Sequence, residues 1–119
     1  MNQGTTTVQP DQRLHALARA NRIRQVRAVL KRRIAAGQLS AAEVILRHRW
    51  EVDSMPVAEV LASQRNWGNA RCHRFLTAVR LSEHKTIGSM TERQRLAVAA
   101  RLDASAKFPA RRRLSEAAG

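Results

Sequence analysis

At 119 residues and 13.4 kDa the chain has the length of one domain, enough to bury one modest core. Its 22 Lys and Arg against 9 Asp and Glu give a formal charge of +13, which calls for a polyanion, either nucleic acid or an anionic membrane face. No apolar run approaches the roughly 20 residues that cross a bilayer, Met1 to Gln9 has no apolar leader core, and the lone Cys72 excludes an intramolecular disulfide and a multi-cysteine zinc site, so the expectation is a cytoplasmic protein with no membrane partner, metal or cofactor.

Residues 1–9 lack periodicity and read as a flexible arm. Pro10 and Asp11 form a helix start, with proline in the first turn and an acid at the positive dipole end. From there to Ala36 the chain holds no Gly or Pro, and Gly37 supplies the stop, so one long basic helix is expected over about 11–36. Ile23, Val26, Leu30 and Ile34 fall on one face, with Arg24, Arg27 and Lys31 as an adjacent stripe. No acid stands between Asp11 and Glu43, so these arginines have no local carboxylate partner.

Ser40 and Glu43 read as a capping box for a second helix that contains Val44, Ile45, Leu46 and Trp50 and breaks at Asp53 and Ser54. Ser54 as N-cap, with Pro56 behind it, is expected to start a short third helix through Val57, Val60 and Leu61. Trp67-Gly68-Asn69 reads as a tight turn into a helix over Ala70–Val79. The polar loop Ser82–Thr86 leads to Ile87-Gly88-Ser89-Met90, and Thr91 with Gln94 makes a second capping box for a last helix to about Ala104. The tail, 105–119, has Arg111-Arg112-Arg113 beyond Pro109 and reads as mobile. The expected fold is all-α: a long basic helix (10–37) and a compact core (55–104) of about four helices, within one domain over 10–104.

A glycine turn feeding a helix N-terminus offers unpaired N–H groups and a positive dipole end, which suit a phosphate. Trp67, Gly68, Asn69 and Arg71 stand there, although a lone Gly turn is also an ordinary helix connection. Lys85 and Thr86 on the next loop, with Arg93 in the first turn of the last helix, supply a second basic segment able to straddle a duplex. Arg24, Arg27 and Lys31 are the candidates on the long helix. Aromatics make up 3% and tyrosine is absent, which weighs against base-stacking single-strand binders. Trp50 and Trp67 read first as core or rim anchors. Cys72-His73 lacks the further ligands a metal needs, and no G-x-S-x-G, P-loop or H-E-x-x-H is present, so no enzyme and no small-molecule substrate are expected.

From about Asp11 to Leu102 the chain resembles the actinobacterial integration host factors. The strongest stretch runs from Trp67-Gly68 through the following helix and loop to Thr91-Glu92-Arg93-Gln94-Arg95-Leu96. The resemblance implies a long helix attached to a helix-two-turns-helix domain, like that of a small-subunit ribosomal protein and some DNA repair glycosylases. It further implies a monomeric, nucleoid-associated protein that binds duplex DNA largely without sequence preference, in DNA compaction and in site-specific recombination with a recombinase or integrase. Trp67, Gly68, Asn69 and Arg71, with Lys85, Thr86 and Arg93, would meet the backbone, and the first-helix arginines would approach from another side. The chain departs from the family at Asn69, where a basic residue is usual, and at Ser89-Met90-Thr91, where a Gly-Leu-Gly-like turn is usual. It also lacks the N-terminal Pro-Glu pair and four cysteines of the glycosylases, so base excision is not expected. A structured-RNA-binding module and a recombination-complex adaptor stand as the alternatives.

Overall fold

The structure, a computed structural model, describes residues 10–104; the arm expected at 1–9 and the tail at 105–119 lie outside the described residues. The first helix, α1, spans Pro10–Ala35, about 39 Å at 1.5 Å per residue. Gly37 ends it at φ +78°, a left-handed conformation that costs glycine little. The Gly37 N–H donates to the Ile34 carbonyl at 3.1 Å and the Gln38 N–H to that of Arg33 at 2.9 Å, the paired bonds of a Schellman stop. The apolar packing of α1 lies in its second half. Residues 11–19 are all exposed, Ile23, Val26 and Leu30 are half-buried, and Ile34 is buried.

The Ser40/Glu43 capping box opens α2, Ala41–Arg47, whose Ala41, Ala42, Val44 and Ile45 enter the core. This helix is shorter than the sequence predicts. His48 turns left-handed at φ 34°, its N–H donating to the Val44 carbonyl, and the chain re-forms as a 3-10 turn over Trp50–Val52. Trp50 thereby leaves the core and stands 42% exposed beneath the Arg19 guanidinium, 4.3 Å from its ring centroid.

The third helix, α3, is Val57–Ala62, and its N-cap is Pro56, not the expected Ser54. The Ser54 hydroxyl instead accepts a hydrogen bond from the Arg27 guanidinium of α1. A tertiary donor thus takes the oxygen that a local cap would have used. The fourth helix, α4, spans Asn69–Ala78, and a fifth, α5, covers 92–104. At the head of α5 the Thr91 N–H donates to Gln94 at 2.9 Å and the Gln94 N–H to Thr91 Oγ1 at 3.1 Å, the reciprocal cap expected there.

The four shorter helices close around Ile45, Met55, Val57, Val60, Leu61, Leu76, Ile87 and Val98, all essentially without solvent contact. Among the described residues there is no strand, only an antiparallel bridge between Pro56 and Thr86. No helix of the described residues is long and apolar enough to cross a membrane.

Candidate nucleic-acid interface

The first predicted turn is built differently from its sequence reading. Its left-handed residue is Asn66, at φ 69°, a conformation asparagine tolerates better than most residues. Gly68 is the N-cap of α4 with φ −81° and ψ 179°, extended backbone that any residue adopts, and a Cβ there would meet nothing within 4 Å. What glycine contributes is bareness. The first intrahelical bond runs from the Cys72 N–H to the Gly68 carbonyl at 3.0 Å, and no side chain caps the helix. The amides of Asn69, Ala70 and Arg71 therefore have no acceptor among the described residues, and the positive end of α4 is open to an anion.

Trp67 anchors this turn. Its ring is half-buried against the core and meets Phe75 edge-on, with centroids 5.4 Å apart and planes at 65°. The Arg71 guanidinium lies over the same ring, 4.3 Å from its centroid, with no carboxylate partner among the described residues. A stacked guanidinium has fewer rotamers to lose when it meets a phosphate oxygen.

The second turn is fixed by backbone. The Val57 N–H donates to the Lys85 carbonyl at 2.8 Å, the Ile87 N–H to that of Met55 at 3.0 Å, and the Gly88 N–H to that of Asp53 at 2.8 Å. These bonds zip 85–88 to 53–57. Ile87–Ser89 then forms a 3-10 turn, headed by Thr86 and Ser89 in a reciprocal cap that the sequence reading missed. The Thr86 hydroxyl donates to Ser89 Oγ at 3.0 Å. Lys85 is half-buried and Arg93 exposed, and neither has an acidic partner among the described residues.

The start of α4 and the loop that precedes the second turn share one hollow of about 570 Å3, lined by Asn69, Ala70 and His73 from α4 and by Glu83 and His84 from that loop. His73 Nδ1 lies 3.0 Å from Glu83 Oε2, tying the loop to the helix. Cys72 also faces this hollow. Burial pushes its thiol pKa up, opposed by the neighbouring Arg71 charge, so the thiol stays protonated at neutral pH.

The α1 stripe divides. Arg24 is exposed and, among the described residues, bonded only to Asn21 on its own helix. Arg27 and Lys31 have no local carboxylate partner, as expected, but both find partners far along the chain. Arg27 donates to Ser54 Oγ and, through Nε, to the Glu51 carbonyl at 3.2 Å, while Lys31 Nζ pairs with Glu59 Oε2 at 2.8 Å. Arg22 Nε stands 3.5 Å from Glu51 Oε2, and Arg49 Nε 3.4 Å from Oε1. Glu51, 1% exposed, is thus the acid around which arginines dock the first helix.

Three residues that matter to the site escaped the sequence reading. Glu51 offered no signal, since an acid beside Trp50 reads as exposed. Gly88 was legible only as a turn glycine. Arg95, the last residue of Arg93-Gln94-Arg95, is 9% exposed and donates to the Ile87 carbonyl at 3.2 Å, bracing the second turn from α5. Arg65, Arg74 and Arg80 add exposed cations around α4 with no acidic partner among the described residues. No group of three or more metal-ligating side chains occurs among the described residues.

Comparison with protein-family models, curated proteins and solved structures returns no match.

Proposed function

We propose that the protein is a non-enzymatic, nucleoid-associated binder of duplex DNA, of the actinobacterial integration-host-factor type, acting through the phosphate backbone with little sequence preference. The supporting observation is the uncapped start of α4, with Arg71 held over Trp67, sharing one hollow with the loop that leads into Lys85. Two phosphates on one backbone stretch can be met there, one by bare amides and one by a lysine on a turn locked to 53–57. The net charge of +13 supplies long-range attraction. Phosphate contacts position a duplex but carry no base information, which is why low specificity follows. Compaction and assistance to a recombinase or integrase are the roles such a monomeric binder would serve.

The test is charge reversal. Arg71→Glu with Lys85→Glu is expected to weaken binding to every duplex tested, with a shallower salt dependence and an unchanged melting temperature. Loss confined to one sequence would contradict backbone binding, and unchanged affinity would move the site elsewhere.

A further inference from the structure

On the side of α1 that meets α2, a groove shares no residue with the Gly68 and Lys85 turns. One hollow of about 360 Å3 has Val26, Val29 and Leu30 as its apolar lining and Arg22, Arg33 and Arg49 around them. A narrower hollow of about 80 Å3 shares Leu30, Arg33 and Arg49 with it and adds Leu39 and Val44, with Arg47 and Glu43 at the edge. Val29 is 42% exposed although it lies on the apolar floor. Arg33 has no acidic partner among the described residues, and Arg47 has only the 3.8 Å contact to Glu43.

We infer that this groove docks an acidic amphipathic helix of a partner protein, its apolar residues on the valine and leucine floor and its carboxylates on Arg33 and Arg47. An apolar floor with a cationic rim is complementary to a helix that has leucines at i, i+3 and i+7 and acids beside them. A phosphate backbone would use the rim but gain nothing from covering Val26, Val29 and Leu30. The chain's own ends do not match the charge: residues 1–9 hold no charged side chain, and 105–119 hold Lys107 and Arg111, Arg112 and Arg113 against the single Glu116. A second copy, at +13, is repelled by the same rim. The inference is independent of the DNA reading.

The test uses the full chain, methyl-labelled for NMR, titrated with a roughly 18-residue peptide of Glu, Ala and Leu whose leucines form one helical stripe. Controls are the same composition with the leucines scattered, and a short DNA duplex. Saturable binding is expected, with shifts concentrated on the Val26, Val29 and Leu30 methyls. Val29→Gln should weaken binding about tenfold by removing a buried apolar contact. Arg33→Gln should weaken it about threefold, with core methyl positions unchanged in both variants. Equal binding of the scattered peptide would reduce the groove to a charged surface and overturn the inference. So would an absence of saturation at millimolar peptide, or a preference of these methyls for the duplex.

Discussion

At Gly88 an added Cβ would stand 2.9 Å from both Asp53 Cβ and the Asp53 carbonyl oxygen, closer than real side chains approach. The same Asp53 carbonyl accepts the Gly88 N–H at 2.8 Å, so the contact cannot open without losing that bond. Gly88→Ala is therefore expected to destabilise the protein by about 1–3 kcal/mol, as overpacking does, read as a shift in urea midpoint. Gly68→Ala, facing open space at a φ any residue adopts, should leave that midpoint within about 0.5 kcal/mol. A reversed order of the two would contradict the packing described for the second turn. The sequence singles out Gly68 and assigns Gly88 no role, because it registers a glycine but not the segment 35 residues away in the chain that approaches it.

The first helix shows what was legible at the scale of an element. Its proline start, its glycine stop and its apolar face are local signals, and so are the capping boxes at Ser40 and Thr91. The early end of α2 at His48 and the diversion of Ser54 from its cap were not legible, because each depends on what packs against the segment from elsewhere. The docking of α1 was hidden for the same reason, since Glu51 lies 24 residues beyond Arg27. Either Arg22 or Arg49 alone still faces the Glu51 carboxylate, whereas losing both leaves a buried charge uncompensated. Arg22→Ala and Arg49→Ala should each cost under about 1 kcal/mol, and the double variant about 3 kcal/mol, a coupling that a double-mutant cycle in urea reads directly. Additive effects would remove Glu51 from its place as the docking acid. Within α1, amide hydrogen exchange should be about tenfold or more faster over residues 13–19 than over 26–34, because only the latter stretch has a packed face. Equal protection would mean that the outer part of the helix is held by contacts other than those described.

Across the whole molecule, charge that is internally satisfied must be separated from charge free for a ligand. Arg22, Arg27 and Lys31 hold the first helix to the domain, and Arg49 shares the Glu51 carboxylate with Arg22. Arg24, Arg71, Lys85 and Arg93 have no carboxylate partner among the described residues and are the proposed phosphate contacts. Four neutralised phosphates at about −0.9 each give a log–log salt slope of about −3.6 on duplex DNA, steeper if Arg65 or Arg74 joins them. Phosphate-backbone binding is tested most directly by a titration across salt concentrations with short duplexes of random and A·T-rich sequence, beside matched single-stranded DNA and structured RNA. Similar affinity for both duplexes is expected, with a slope near −4 and weaker binding to the single strand and the RNA. A preference for structured RNA, or a duplex slope near zero, would contradict it.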